Sequence, residues 1–574
     1  MLAACSITEN LASIPEEAVA APVTYAVITV VATLTPSLLP PTNTPLMAET
    51  QDWATFVSPA LKITPSRSAT RLAVSPTKKA LNSTLQPTVA VTPFSPAEIL
   101  LPTITPAMTV TVLATNTPAL PTPSSTLPIT PPGSPTGVAV TSLPPPPVGA
   151  ASPRIYETTI TIPTYGYEAG FQPTSPEENI YPYPRLNFDL VTPPISRSYR
   201  AIVLENGFVS ITILPELGGR IYRWVDKATG RKLLYENPVI KPTNWGYRGW
   251  WLAAGGIEWA FPVEEHGLNE WRPWDYSTGS TAYGVSVTVS DVEDRTGMEV
   301  GATISLDTGH AYLVIQPWAR NNTETAQPYQ LWLNAMLALN NNTISNQTEL
   351  IVPASEVLIH STGDGGLPGG GSSISWPFYG GRDMSRYGNW QGWVGFFAPN
   401  VAHGFVGVYD HAIDQGIVRA YNPGWPAGTK FFGPGTLSPG IWTDDGSNYL
   451  ELWSGATASF WTYATMNSGD SIGWTEFWYP VHGLDGFNYA NRSATLKLVD
   501  TGHGADVGVA VSGGITGQVS LWVGGQQVTN WPMTIYPGQA FRASWTRPIG
   551  LEGALGLRLE QADGSVVAQT GFVP

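Results

Sequence analysis

Apolar and polar residues alternate with a period of two through most of the chain after Tyr156. Val209, Ile211 and Ile213 are each separated by a polar residue, and this spacing places the three apolar side chains on one face of an extended strand. The dipeptide Asn206-Gly207 precedes the run and is typical of a tight hairpin turn. The pattern therefore predicts a half-buried β-strand that belongs to a hairpin.

The same alternation recurs along the chain between glycine-rich turns. Further strands are predicted over residues 220–225, 300–306, 311–318, 518–523, 540–545 and 555–559. Residues 331–339 fit either a strand or a short buried helix, because periodicity alone does not distinguish the two. No long amphipathic helix is evident, and many strands without intervening helices predict an all-β sandwich or barrel.

Composition divides the chain into physically different parts. The first part, up to about residue 150, is rich in proline and threonine, and of the 22 tryptophans only Trp53 lies in it. Such a segment buries too little apolar surface to offset the loss of chain entropy, and its prolines favour extended conformations. We therefore predict a disordered Pro/Thr-rich stalk over residues 1–152, a large β-domain over residues 153–494 and a small β-sandwich over residues 495–574.

Charge and cysteine content restrict the classes of partner. The net charge is −15 and no basic stripe is present, which argues against nucleic acid and anionic membrane surfaces as partners. The single cysteine, Cys5, excludes an internal disulfide and a cysteine-built zinc site. No cofactor is expected, since the sequence has no nucleophile elbow, phosphate-binding loop or metalloprotease motif.

The setting of Cys5, Leu2-Ala3-Ala4-Cys5, resembles a bacterial lipobox. Only Met1 precedes it, whereas a signal peptide has a charged and then an apolar region there. A truncated start and a chance match both stay open. Beside a Pro/Thr-rich spacer the motif leads us to expect an extracytoplasmic protein, secreted or at the cell surface, that contacts the membrane only through a lipid on Cys5.

The densest chemistry lies between Trp245 and Tyr276. This stretch contains Trp245, Trp250, Trp251, Trp259, Trp271 and Trp274 together with Glu258, Glu264, Glu265, His266, Glu270 and Asp275. Indole faces stack on the C–H faces of sugar rings, and carboxylates accept hydrogen bonds from sugar hydroxyls. In the alternative interpretation the tryptophans are core and the acids lie on a solvated loop. Their density favours a ligand-facing surface, and we predict that Trp250, Trp259 and Trp274 line it.

Several motifs in a fixed order carry a family resemblance. They are Leu204-Glu205-Asn206-Gly207, the run from Leu214 to Ile221 around Gly218-Gly219-Arg220, the run from Tyr235 to Pro242, Gly255-Gly256-Ile257-Glu258, Tyr409-Asp410-His411, Tyr449-Leu450-Glu451-Leu452 and Phe477-Trp478-Tyr479-Pro480-Val481. Over about residues 155–495 the chain resembles a bacterial family of uncharacterised domains with a galactose-mutarotase-like β-supersandwich fold. The resemblance implies a sugar-binding concave face on one sheet. It implies no single activity, because this fold hosts epimerases, lyases, hydrolase modules and sugar binders.

The polar positions that match the family are the candidate site residues: Arg220, Glu258, His266, Asp410, His411 and Glu451. Glu258 and Glu451 lie in apolar, strand-like surroundings where an unpaired carboxylate is costly, so we predict that they converge on one pocket as catalytic carboxylates. His266 would act as an acid beside them, as a histidine commonly does in mutarotase-like enzymes. Arg220 would moderate the repulsion between the two carboxylates and bind substrate.

Alternative roles stay open for three of these residues. Glu258 would also fit a buried salt bridge to Arg220 or Arg248, and His266 would also fit the rim of a site. His411 and Asp410 are proposed to bind substrate, although adjacent residues of a strand face opposite ways and a structural role is slightly favoured for His411.

Two functions from different classes follow. The first is a carbohydrate-active enzyme that works at an anomeric centre, by epimerisation or glycosidic cleavage. The second is a non-catalytic glycan-binding module displayed on a stalk. A hydrolase needs two carboxyl groups about 5–9 Å apart across a cleft, whereas a binder needs none. The expected partner is carbohydrate in both cases.

Overall fold

The computed structural model describes residues 152–572. The predicted stalk and the lipidation of Cys5 lie outside the described residues. The described part consists of strands, turns and short 3-10 helices at Glu168–Gly170, Phe188–Leu190, Tyr387–Asn389 and Pro439–Ile441. Within it, no helix is long and apolar enough to cross a membrane.

The strands fall into three runs along the chain. The first run is β1 (Arg154–Gly166), β2 (Phe171–Gln172), β3 (Arg185–Leu186), β4 (Thr192–Glu205), β5 (Val209–Leu214), β6 (Arg220–Asp226), β7 (Arg231–Lys232), β8 (Glu236–Thr243), β9 (Trp251–Gly255), β10 (Ile257–Ala260), β11 (Asp275–Ser280), β12 (Gly284–Val292) and β13 (Glu299–Asp307). The second run is β14 (Leu313–Arg320), β15 (Gln327–Tyr329), β16 (Trp332–Leu337), β17 (Thr348–Ile351), β18 (Glu356–Thr362), β19 (Ser373–Ser375), β20 (Phe378–Tyr379), β21 (Arg382–Asp383), β22 (Val394–Phe397), β23 (Phe405–Asp410), β24 (Gln415–Tyr421), β25 (Gly428–Gly433), β26 (Leu450–Gly455), β27 (Ala464–Met466), β28 (Ser471–Gly473) and β29 (Glu476–His482). The third run is β30 (Tyr489–Ala490), β31 (Ala494–Asp500), β32 (Gly504–Val511), β33 (Ile515–Val523), β34 (Gln526–Ile535), β35 (Ala540–Thr546), β36 (Leu555–Gln561) and β37 (Val566–Gly571).

Two large sheets form the main body. The larger sheet has 14 strands in the order β19-β18-β22-β25-β26-β16-β10-β6-β5-β4-β1-β8-β9, with β7 beside β6. The second sheet has nine strands in the order β11-β12-β13-β14-β29-β24-β23-β17, with β28 beside β14. One continuous apolar core contains residues of both sheets, for example Ile257 and Leu452 of the larger sheet and Val287 and Trp478 of the second. The two sheets therefore pack face to face.

Period-two alternation decides which side chains of the larger sheet enter this core. On β10, Ile257 and Trp259 point into it, and on β26, Leu450 and Leu452 do. Because successive side chains of a strand point to opposite faces, Glu258 lies on the outer face of the sheet. Residues that are paired directly with Glu258 on neighbouring strands, and those two positions away from them, lie on the same outer face.

The C-terminal strands form two four-stranded sheets, β30-β31-β32-β35 and β34-β33-β36-β37. Their side chains enclose a separate apolar core that includes Val509, Leu521 and Leu557. The division of this region into a domain that begins at residue 495 stays a prediction.

The sequence predictions of strands agree with these elements. The all-β class is confirmed, and the ambiguous residues 331–339 contain a strand, β16, whose side chains are all buried. Its alternate residues Leu333, Ala335 and Leu337 join the core between the sheets.

Candidate active site

A row of side chains crosses the outer face of the larger sheet. Cross-strand pairing places Glu258 of β10 opposite Asn334 of β16, and Asn334 opposite Trp453 of β26. Trp453 in turn pairs with Lys430 of β25, and Lys430 with Phe397 of β22. Directly paired side chains on one face are about 4.5–5.5 Å apart at Cβ, so strand register alone brings together residues that are far apart in sequence.

A second row lies two residues away on the same face. Met336 of β16 is opposite Glu451 of β26, and Glu451 is opposite Phe432 of β25. Glu451 and Lys430 are therefore diagonal neighbours, and the Glu451 Oε2 to Lys430 Nζ distance is 3.9 Å.

Four side chains of these rows, Lys430, Phe432, Glu451 and Trp453, line a cleft of about 560 Å³. Its lining is largely aromatic, with several titratable side chains among the aromatic ones. The lining residues include the aromatic side chains Trp245, Trp251, Trp393, Phe432, Trp442, Tyr449, Trp453 and Phe460 and the titratable side chains Glu265, His266, His360, Lys430 and Glu451. The volume lies within the roughly 300–1,000 Å³ range of small-molecule sites.

Glu258 lies one layer behind the cleft and is not among its lining residues. Its carboxylate accepts hydrogen bonds from Trp251 Nε1 at 3.1 Å and Asn334 Nδ2 at 3.1 Å, contacts Arg220 at 3.5 Å, and is 2.6 Å from His266 Nδ1. Burial alone would raise the pKa of Glu258, but His266 and Arg220 outweigh it and hold that pKa below its usual 4.5. Glu258 is therefore a fully engaged carboxylate that holds His266.

His266 stands between Glu258 and the cleft. Its ring stacks on Trp251 with centroids 3.9 Å apart and planes 17° from parallel. Burial would lower the pKa of His266, but the adjacent Glu258 carboxylate outweighs burial and raises that pKa above 6.5. Nδ1 therefore donates to Glu258, while Nε2 has no hydrogen-bond partner within residues 152–572.

The backbone around His266 is shaped to hold it close to a neighbouring loop. Glu265 has a left-handed φ of 57°, and the amide of Gly267 donates to Glu264 O at 3.3 Å. From the facing loop, Gly246 adopts a φ of 89°, and a Cβ at that position would lie 3.3 Å from His266 Cδ2. A glycine is favoured there for both reasons.

Glu451 and Lys430 are buried charges with incomplete hydrogen bonding. Trp453 Nε1 donates to Glu451 Oε2 at 2.8 Å, while Glu451 Oε1 and Lys430 Nζ have no hydrogen-bond partner in the described part of the chain. Burial raises the pKa of Glu451, although Lys430 and His266 oppose the shift. Burial lowers the pKa of Lys430 to about 8, although Glu451 and Glu265 oppose that shift. Both side chains line the cleft, so an incoming ligand can supply the missing bonds.

His360 is a neutral member of the same wall. Burial, with a smaller contribution from Lys430, lowers the pKa of His360 to about 3. Its ring packs edge-on against Phe397 and Phe460, with centroids 5.3 Å from each. It adds an uncharged donor and acceptor to the cleft.

The structure brings together the three residues proposed as catalytic from sequence, Glu258, His266 and Glu451, but only two of them line the cleft. His266 and Glu451 line the cleft, and Glu258 contacts His266 from behind. The expectation that Glu258 itself faces substrate is therefore corrected, because its oxygen atoms are already occupied by protein donors.

Arg220 is buried and does not reach the cleft. Its guanidinium donates to the carbonyl oxygens of Leu217, Gly255 and Glu270 and contacts Glu258. It lies beside one of the two carboxylates, that of Glu258. The predicted substrate contact is wrong, since backbone carbonyls take most of its donors.

The three tryptophans predicted to line the ligand face lie elsewhere. Trp259 and Trp274 are part of the core between the two large sheets. Trp250 packs in a separate apolar cluster against Tyr167 and Phe171. The indole N–H of each donates to a backbone carbonyl, and none lines the cleft, so this prediction is wrong. From the same sequence cluster, Trp245 and Trp251 do line it.

Asp410 and His411 belong to the second sheet and its following turn, away from the cleft. Asp410 is the last residue of β23 and accepts from the Ala412 amide at 3.0 Å. His411 lies between Glu349 and Asp485, at 2.8 Å and 2.9 Å. Their assignment as substrate-binding residues is corrected, because both are engaged in contacts of that sheet.

Sequence reasoning did not single out Lys430, Trp453 or His360. A signal existed for two of them. Lys430 is a lone cation in a strand that is otherwise apolar or small, and Trp453 is two residues from Glu451 and so shares its face. Within residues 152–572, no group of three or more His, Cys, Asp and Glu side chains is arranged to hold a metal ion.

Fold and site together define an all-β protein with an aromatic-walled, titratable cleft on the outer face of its larger sheet. The family described as a domain of unknown function, DUF5107, matches residues 176–481, and the chain belongs to this family. The prediction of an uncharacterised family is thereby confirmed.

Solved structures similar to the chain include a TPR-domain-containing protein from Parabacteroides distasonis. The match has 23% identity and a TM-score of 0.52, and covers 59% of this chain and 56% of that one, so the chain spans just over half the length of this relative. A galactose mutarotase-like protein from Lactobacillus casei matches with 12% identity and a TM-score of 0.33, over 49% of this chain and 100% of that one. A putative aldose 1-epimerase from Klebsiella pneumoniae matches with 11% identity and a TM-score of 0.36, over 50% and 80% of the two chains. Galactose mutarotase-like proteins are thus among the matches.

Proposed function

We propose that the cleft binds carbohydrate and that Glu451 and His266 act as base and acid at the anomeric carbon. The observation that carries the proposal is that two titratable groups, one with an unpaired carboxylate oxygen and one with an unpaired ring nitrogen, line the same aromatic-walled cleft. Shifted pKa values at neighbouring groups in a cleft are typical of functional sites.

The aromatic lining supports carbohydrate as the ligand class. Trp245, Trp251 and Trp453 line the cleft, and Trp245 is the most exposed of the three. Indole rings pack well on the C–H faces of sugars. Lys430 Nζ and Glu451 Oε1 offer a donor and an acceptor for sugar hydroxyl groups. An apolar wall with a few convergent polar groups is the general form of a small-molecule site.

The proposed reaction starts with Glu451 ionised and His266 protonated. Ionised Glu451 takes the proton of the anomeric hydroxyl, C1–O1 becomes a carbonyl, and the C1–O5 bond breaks. The electron pair of that bond goes to O5, which receives a proton from His266 Nε2. Rotation about C1–C2 and reversal of the same steps close the ring with either configuration, so the enzyme returns to its starting state.

Glu258 acts through His266 and is a positioning residue. Its hydrogen bond to Nδ1 fixes which ring nitrogen faces the cleft and favours the imidazolium that serves as the acid. Because its oxygen atoms accept from protein donors, it is not available as the second carboxyl group of a glycosidase. This favours epimerisation over hydrolysis by a Glu258–Glu451 pair.

Polarimetry on freshly dissolved anomers tests the proposal. The panel contains D-glucose, D-galactose, D-mannose and L-arabinose, and the rate is compared with the spontaneous rate. We expect acceleration for at least one sugar, and a loss of about 10²-fold or more in Glu451→Gln and in His266→Gln, the usual contribution of a general acid or base.

The matched control is Glu476→Gln, because Glu476 is also a buried carboxylate with an arginine and two tryptophan donors but lies in the core. Its rate should match that of the unaltered protein. Full activity in Glu451→Gln would contradict the assignment. Tight sugar binding without acceleration would overturn the catalytic half and leave the second candidate, a non-catalytic glycan-binding module.

The proposed location is extracytoplasmic. It rests on the Pro/Thr-rich composition before residue 150 and on the Leu2-Ala3-Ala4-Cys5 motif. Metabolic labelling with a palmitate analogue, compared with Cys5→Ser, tests lipidation, and absence of label in the unaltered protein would contradict it.

A further inference from the structure

A second aromatic surface continues from the wall of the cleft. Within residues 152–572, Trp245 and Trp461 are the exposed tryptophans, with 40% and 52% of their surface accessible. Trp245 lines the cleft itself. Trp461 lies outside it, and its ring is 5.9 Å from that of His360, which belongs to the cleft wall.

The Trp461 ring packs against two neighbouring rings, those of Phe397 and His360. Its centroid is 5.4 Å from that of Phe397 at 70°, and its plane is 36° from that of His360. About half of the side chain remains accessible, and the indole N–H has no hydrogen-bond partner in the described residues. The ring is thus oriented by its neighbours while part of its surface stays open.

The segment that carries Trp461 is anchored on both sides. Gln330 Nε2 donates to Phe460 O at 3.2 Å and to Thr462 O at 2.7 Å. The hydroxyl of Tyr463 donates to Glu264, which lies two residues from His266. A surface that is already ordered loses less conformational entropy when a ligand binds.

We propose that Trp461 is the platform of a second sugar subsite, so that the ligand is an oligosaccharide whose reducing-end unit occupies the cleft and whose neighbouring unit stacks on Trp461. The inference rests on the proposed function. Anomeric chemistry at Glu451 and His266 needs the free reducing end in the cleft, so the adjacent unit must extend out of it, and His360 connects the cleft with the Trp461 ring.

Isothermal titration calorimetry on the full chain tests the subsite. The probes are glucose, galactose and mannose with the matching β-1,4-linked di- and tetrasaccharides. We expect at least one series in which the tetrasaccharide binds roughly 3- to 10-fold more tightly than the monosaccharide, the factor that one stacked ring supplies. Trp461→Ala should remove that difference and leave monosaccharide affinity unchanged.

Two further variants separate stacking from loss of structure. Trp461→Phe keeps an aromatic face and should retain most of the difference. Trp522→Ala, which removes a half-buried indole from β33 outside the cleft, should change nothing.

The outcomes of this test are distinguishable from failure of the proposed function. Equal affinity for mono- and tetrasaccharides in the unaltered protein would overturn the subsite while leaving sugar binding intact. The same holds if Trp461→Ala weakens both ligands equally. If no sugar of the panel binds, the proposed function itself is overturned, and the subsite with it.

Discussion

Replacing Glu258 by glutamine tests whether a carboxylate behind the cleft sets the protonation of the histidine inside it. The substitution keeps the size of the side chain and removes its charge. In the structure the carboxylate is 2.6 Å from His266 Nδ1, and its charge is the largest influence that raises the pKa of His266. We therefore expect that pKa to fall in Glu258→Gln.

The size of the change follows from the contact. A hydrogen bond to a charged group contributes about 1.5–3 kcal/mol, and its loss removes the main influence that holds the pKa of His266 up. The pKa of His266 should therefore fall in the variant, because burial then acts without the opposing carboxylate. The variant also leaves Arg220 without its buried carboxylate, and breaking a buried pair in this way costs about 3–5 kcal/mol of stability.

The stability difference should depend on pH with a defined sign. Because the folded-state pKa of His266 is raised above 6.5, its contribution to stability is complete below that value and is lost as pH rises through the raised pKa. The two proteins should differ in their free energy of unfolding, and His266 accounts for part of this difference. That part should therefore shrink at alkaline pH.

The assay is an NMR titration of the histidine Cε1 resonances. The chain has seven histidines, and loss of one signal in His266→Gln assigns the resonance. The control is Glu476→Gln, whose carboxylate accepts from Arg419 at 3.0 Å and does not line the cleft. It should lose stability without moving the His266 titration. An unchanged pKa in Glu258→Gln, or an equal shift in the control, would refute the reasoning.

Two further predictions concern the core and the cleft. Trp259→Ala should lower the free energy of unfolding, measured by denaturant, by about 3–5 kcal/mol, because Trp259 packs between the sheets. Sugar affinity, measured without denaturant where the variant is still folded, should not change. A loss of affinity without a loss of stability would place the ring in the site instead. Sugar affinity, followed by calorimetry across pH, should fall as pH rises through about 8, where the Lys430 ammonium loses its proton. Lys430→Met should bind the sugar more weakly and show no such fall. A fall near pH 8 that persists in Lys430→Met would assign the titration to another group.

Alternation along single strands predicted part of the site correctly. Leu450 and Leu452 flank Glu451, and this pattern already places the carboxylate on the face opposite the leucines. The same rule applies to Glu258 and Trp259, which are adjacent and therefore face opposite ways. The prediction of one ligand surface for both residues was therefore wrong. It relied on the number of tryptophans in the cluster, although alternation along the strand already separates the two side chains.

Other features depend on pairings that no local pattern encodes. Asp410 and Glu451 both lie in apolar strands, but β23 joins the second sheet and β26 the larger one. The contact between Lys430 and Glu451 results from the register of β25 on β26. Period-two alternation gives the face of a side chain, whereas the partner strand and its register are fixed by the whole sheet.

A crystal structure of the protein with the best-binding sugar would test the central claim most directly. We predict a pyranose in the cleft with its anomeric oxygen within about 2.6–3.2 Å of the Glu451 carboxylate and its ring oxygen at the same distance from His266 Nε2. A sugar bound on another surface, or in the cleft with its anomeric centre turned away from both side chains, would contradict the account.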